Sequence, residues 1–309
     1  MTLPINAILA LAAAAFWGGG DFSGGIGVKA AGGSTSGALR VVLTAHAASL
    51  IGLLVWLALQ PVSLPRGAGA AAGWAIAAGA AGALSVTAFY LALSRGAMGA
   101  SAAISGLLAA ATPAVVSSVL EGTPAAHRLI GFVIAAAAIW MIAAAPSPEN
   151  IPEADTRAAR ITTALAIFGG LGFGFYFVAL RECNPLGVVL PMAIARATSV
   201  LLCAPLLLLI LQTEPHALRT EPHAPAPSRR WLPWQAVAAA LGVAVLDTGG
   251  NMFFVAATRA GRLDVAAVLA SLYPAGTILL AAWQLHERAT PRQRNGMLLA
   301  LAAVVLVTL

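Results

Sequence analysis

Ten apolar stretches of membrane-spanning length run through the 309 residues, and their landmarks recur in two sets of five, the second about 160 residues after the first. No other feature narrows the fold as much. A hydrocarbon core of about 30 Å calls for roughly 20 apolar residues per crossing. Inside lipid the backbone must satisfy its own hydrogen bonds, which leaves helices or closed barrels. The stretches fall at roughly 4–24, 36–59, 72–94, 100–120, 127–145, 161–181, 187–211, 233–257, 264–284 and 292–308. They are too long and too evenly apolar for barrel strands of about ten residues with alternating faces. The expected class is an all-α membrane protein of ten transmembrane helices. Gln60-Pro61, Gly122-Thr123-Pro124, Asn184-Pro185 and Thr290-Pro291 each fall between two stretches as turn signals. Six of the seven tryptophans lie near stretch ends, at headgroup depth, and only Trp17 lies deeper.

Composition agrees. Hydrophobic residues make up 60% of the chain and charged ones 9%, against roughly 25% charged in soluble domains. The basic residues are spread over nearly every loop, without the clustered patch of a nucleic-acid binder. Cys183 and Cys203 fit neither a metal spacing nor a disulfide framework, so no metal and no cofactor are expected. The first apolar run lacks a basic region ahead of it and reads as a retained span, not a cleaved leader.

The strongest internal break, Pro146 to Arg160, holds three prolines, three acids and two arginines and divides the stretches five and five. It suggests a first five-helix repeat over 1–146, a Pro-rich polar linker over 147–160 and a second repeat over 161–309. Matched residues support the division. Arg40 and Arg196 stand early in the second and seventh stretches (196 − 40 = 156), and Glu121 and Glu287 end the fourth and ninth (287 − 121 = 166). An odd number of spans per copy makes the second copy enter from the opposite side, giving inverted repeats with a site between them. The polar loop 212–233 repeats Thr-Glu-Pro-His-Ala; its His216 and His223 lack partners at ligand spacing and read as solvated.

These residues carry a family resemblance. Trp17-Gly18, Arg40, Ser271-Leu272-Tyr273-Pro274, then Leu285-His286-Glu287-Arg288 and Gly296 resemble the EamA-type repeats of the drug/metabolite transporter superfamily. Ile104 to Glu121 followed by Gly131 forms a weaker first copy. The resemblance implies a multi-pass secondary transporter of a small metabolite or drug-like compound, an exporter working by alternating access in a bacterial-type cytoplasmic membrane. Both termini would be cytoplasmic. The arginines pull the other way: the loops so made cytoplasmic hold Arg66, Arg128, Arg181, Arg259 and Arg262, and the opposite loops hold more basic residues.

Ionisable groups at membrane depth are costly and mark cavities or partners. Asp247 stands well inside a stretch with Asn251 one turn later and Gly249-Gly250 between, a carboxylate and an amide suited to an amine, a proton or local unwinding. It serves equally as a helix-joining partner of Arg40 or Arg196. Trp17 and Asp21 share a face of the first helix and would stack on and pair with a cation; Asp21 reads alternatively as a hydrated helix end. Tyr90, Tyr176 and Tyr273 are the only tyrosines, and each either lines a cavity or bonds a neighbouring helix. His46 offers a proton shuttle or a helix-linking bond. The candidate substrate residues are therefore Trp17, Asp21, Tyr90, Tyr176, Asp247 and Asn251, on the first, third, sixth and eighth helices. Arg40, Arg196, Glu121 and Glu287 are read as framework. The expected partners are a small-molecule substrate, a coupling proton or cation, and the bilayer. No convergent nucleophile and base, and no Gly-x-x-x-x-Gly-Lys loop, point to an enzyme or to ATP use. A lipid flippase, or a polytopic enzyme acting on a lipid-linked substrate, is the rival reading.

Overall fold

The computed structural model describes residues 3–59, 68–95, 98–143, 153–213, 231–284 and 290–308. In chain order the elements are α1 (Ile5–Ala30), α2 (Thr35–Leu59), α3 (Ala68–Arg95), α4 (Met98–Leu120), α5 (Ala126–Ala143) and α6 (Glu153–Glu182). A 3₁₀ turn at Asn184–Leu186 leads into α7 (Val189–Thr213), α8 (Trp234–Ala260), α9 (Leu263–Ala270), α10 (Tyr273–Gln284) and α11 (Pro291–Thr308). Every element among the described residues is helical, and six helices (α1, α2, α3, α6, α7 and α8) are long and apolar enough to cross a membrane. Shorter apolar helices fill the remaining four sequence stretches.

Local chemistry sets the ends. Pro4 and Pro233 precede α1 and α8, and Pro291 opens α11, where a missing N–H costs nothing. After α1 the chain reverses through Gly32 and Gly33, both at positive φ (92° and 65°), and the Gly33 N–H caps the Val28 carbonyl at 2.9 Å.

Two helices differ from expectation. α6 begins at Glu153, so the second half of the presumed linker is helical. The stretch 264–284 is not one helix: it breaks at Ser271-Leu272 into α9 and α10. Pro274 explains the break, since it has no N–H to donate to Ala270 and its ring would clash there. Exposed irregular backbone is not tolerated in lipid; here Ser271, Leu272 and Tyr273 are all buried in protein.

The bundle turns small residues inward and large apolar ones outward. Ile51, Leu59, Val119, Leu201 and Val245 are exposed, whereas alanines and glycines crowd the helix contacts. Without a hydrophobic force between helices in lipid, close backbone approach through small residues supplies the packing. A Cβ on Gly18 would meet the Tyr273 carbonyl at 2.8 Å, and one on Gly170 would meet Ser105 Cα at 2.8 Å. α1 packs on α8, α3 on α6, α2 on α7 and α5 on α11; α4 also packs on α6, and α1 on α9 and α10.

Candidate functional site

Halfway along the helices, α1, α3, α6, α8 and α10 enclose a cavity of about 30 Å³ lined by Trp17, Asp21, Val86, Phe173, Tyr176, Phe177, Asp247, Asn251 and Tyr273. Five of the six candidate residues meet there. The sixth, Tyr90, is fully buried beside it with its ring against Gly24 and its hydroxyl unpartnered.

Asp247 anchors a polar network that joins three helices. Arg196 on α7 is 5% exposed and donates to the Asp247 carboxylate through Nη2. Its Nη1 reaches His46 Nε2 on α2 at 3.0 Å, and Nη2 lies 3.5 Å from Thr248 Oγ1. A guanidinium only donates, so His46 Nε2 accepts; the imidazole is neutral with its proton on Nδ1, which bonds Ser199 Oγ. Ser49 and Thr248 hydroxyls add a link at 2.5 Å between α2 and α8. His46 is thus a helix-linking group. Arg196 lies inside the bundle as the partner of a cavity carboxylate.

Asn251 donates from Nδ2 to Asp247 at 3.1 Å. An ionised carboxylate only accepts, so the amide orientation is fixed by chemistry, and among the described residues Oδ1 remains a buried acceptor without a partner. Asp21 is 9% exposed, and among the described residues no hydrogen bond or ion pair reaches its carboxylate. It is no hydrated helix end, because α1 continues to Ala30.

Aromatic rings form the apolar wall. Trp17 stacks on Phe177 with centroids 4.9 Å apart and planes 7° apart, and Phe254 closes on both at 4.6 and 5.5 Å. Gly249 and Gly250 serve this wall and do not unwind α8: a Cβ on Gly250 would come within 2.6 Å of Trp17 Cδ1, and one on Gly249 within 2.6 Å of Phe16. Sequence reasoning missed Phe173, Phe177 and Val86 and left Tyr273 off the candidate set. The spacing Phe173, Tyr176, Phe177 on one helical face was the available signal. The break before α10 brings Tyr273 to the cavity, its hydroxyl 3.4 Å from the Ala102 carbonyl.

A second charged cluster lies at the end of the bundle where α1 begins, as Asn6 packs on Gly261 there. Glu121 at the end of α4 pairs with Arg181 at 3.1 Å and approaches Arg262 at 3.9 Å, while accepting from Ser117 at 2.8 Å and from the Leu263 N–H at 3.3 Å. Arg262 also pairs with Asp264 at 2.9 Å and donates to the Glu121 and Gly122 carbonyls. Through Glu121 the end of α4 is thus tied to α6 and to the start of α9. At the opposite end Arg40 stacks over Trp231 at 5.6 Å and lies 3.4 Å from its carbonyl. Glu287 lies outside the described residues. Among those described, no group of His, Cys, Asp and Glu is arranged to hold a metal, and both cysteines are free and buried.

Comparison with known proteins adds the family. Residues 160–309 match the EamA-like transporter family. A solved structure, described only as a crystal structure of a protein, is similar over 100% of this chain and 99% of its own, with a TM-score of 0.65 at 16% identity, a likeness of fold. No curated protein matches the sequence. The second half of the chain, residues 160–309, thus carries the match to the EamA-like transporter family, a family of membrane transporters.

Proposed function

We propose that the protein is a secondary active transporter that exports a small metabolite or drug-like compound by alternating access, holding it between two inverted five-helix halves, residues 1–146 and 161–309. The observation that carries this reading is the composition of the central cavity. Trp17, Asp21 and Val86 come from one half, Phe173, Tyr176, Phe177, Asp247, Asn251 and Tyr273 from the other. Carboxylates kept at that depth are too costly to retain without a role.

The packing pairs agree with a twofold relation. α1 on α8 has its image in α6 on α3, α4 on α6 in the broken α9–α10 on α1, and α2–α7 and α5–α11 pair counterparts with each other. At about 30 Å³ the cavity has room for a water or two, well short of the roughly 300 Å³ of a metabolite site. Loading substrate therefore requires the halves to part, which is what alternating access supplies.

The test starts from metabolites. Cells lacking the protein should accumulate a compound that overproducing cells lose, and purified protein in vesicles should move that compound. Trp17→Ala and Asn251→Ala should each slow the flux while the protein still folds. Flux unchanged in both variants would remove the cavity as the site; facilitated movement of lipid alone would favour a flippase.

A further inference from the structure

The charges around the cavity do not balance. Among the described residues, Arg196 and Asp247 neutralise each other, and His46 is neutral by its hydrogen bonds. Among the described residues, the titratable groups facing Asp21 from the surrounding helices are Tyr90 on α3, Tyr176 on α6, Asp247 on α8 and Tyr273 on α10, and none is basic. Arg196 on α7 is committed to Asp247, and Asp264 on α9 is paired at the bundle end with Arg262. The centre is left one positive charge short, at a buried carboxylate with no partner.

A second, independent group points the same way. Asn251 Oδ1 is a buried acceptor without a donor, on a side chain 1% exposed that lines the same cavity. The unmet demand is for hydrogen-bond donors carrying positive charge. A proton on Asp21 alone would cancel the charge but leave the Asn251 oxygen unsatisfied. An ammonium with several N–H groups can serve both, because Asp21 and Asn251 line the same cavity.

Resting on the transport reading above, we propose that the substrate is a protonated amine whose nitrogen is held by Asp21 and Asn251 Oδ1, with its apolar part against Trp17 and Phe177. Asp247, the more conspicuous acid, positions Asn251 and holds Arg196. The substrate nitrogen does not bind there.

The experiment uses the full-length protein in detergent and three probes of one shape: phenethylamine as the cation, 2-phenylethanol as the neutral form and phenylacetate as the anion. Binding is read by calorimetry at pH 7, and again one unit to either side, on wild type, Asp21→Asn, Asp21→Glu and Asn251→Ala, each first shown to unfold cooperatively on heating. Phenethylamine should bind at least about tenfold tighter than either other probe, as one charge-assisted hydrogen bond provides. Asp21→Asn should lose about tenfold or more, Asp21→Glu should retain part of the affinity, and Asn251→Ala should lose severalfold. Equal binding of 2-phenylethanol, an unaffected Asp21→Asn, or no binding of any probe would overturn the amine site. If 2-phenylethanol binds equally and Asp21→Asn removes only the pH dependence, the charge is a bare proton, which also overturns it. Vesicle flux separates the two readings: Trp17-dependent movement of a neutral or anionic solute leaves transport standing without the amine site. Asp21-dependent binding with no solute crossing does the reverse.

Discussion

Two charge clusters in this bundle differ in completeness. At the end where α1 begins, Glu121, Arg181, Arg262 and Asp264 all have ionic partners, and Arg262 also donates to two carbonyls. Halfway along the helices, Arg196 and Asp247 are paired, while Asp21 and Asn251 Oδ1 are buried without partners among the described residues. A satisfied cluster braces helices. An unsatisfied one at membrane depth raises the energy of the protein alone and lowers it when something binds. On this contrast rests the proposal of framework for the first cluster and substrate for the second, with the Arg196–Asp247 pair joining helices at the edge of the cavity.

Substitutions sharpen the contrast in order of size. Arg196→Met leaves the Asp247 carboxylate, whose side chain is 19% exposed, without its partner, which should cost about 3 kcal/mol, the low end for a broken buried pair, read as a large fall in melting temperature in detergent; adding Asp247→Leu should recover much of it. Asp21→Asn, also a buried charge, should cost nothing, because it removes a charge that no partner balances. Gly250→Ala pushes a methyl into Trp17 and should cost about 1–3 kcal/mol, with weaker substrate binding as the ring shifts. Glu121→Gln should cost about 1 kcal/mol, the scale of a partly exposed ion pair. Ser49→Ala breaks the bond to Thr248 and should cost about 0.6 kcal/mol, the usual size of a hydrogen bond between membrane helices. A melting temperature that falls as far for Asp21→Asn as for Arg196→Met would erase the distinction.

Hydrophobic runs are local, so the helices were legible in the sequence almost to their ends. The exceptions are instructive. Charges hid the start of α6, because Glu153 to Arg160 is helical yet reads as linker. Pro274 signalled the break before α10 without saying that Tyr273 would be turned to the cavity. That Trp17, Asp21, Tyr176, Asp247 and Asn251 line one cavity was legible because polar and aromatic residues inside apolar helices are rare. Their pairing was not: Arg40 and Arg196 were equal candidates for Asp247, and only packing placed Arg196 beside it. Asp21 was misjudged in depth because glycine and polar residues blur the end of α1. Phe173 and Phe177 look in sequence like Phe175, which is exposed on the outer face; which phenylalanines turn inward depends on where α3 and α8 lie.

The most direct measurement is flux in reconstituted vesicles of the compound found by metabolite comparison, with wild type, Asp21→Asn and Glu121→Gln compared at equal amounts of folded protein. Asp21→Asn should abolish flux without lowering the melting temperature, and Glu121→Gln should lower the melting temperature while keeping the flux. Flux that survives Asp21→Asn, or that is lost in Glu121→Gln at unchanged stability, would contradict the assignment of substrate to the centre and framework to the end.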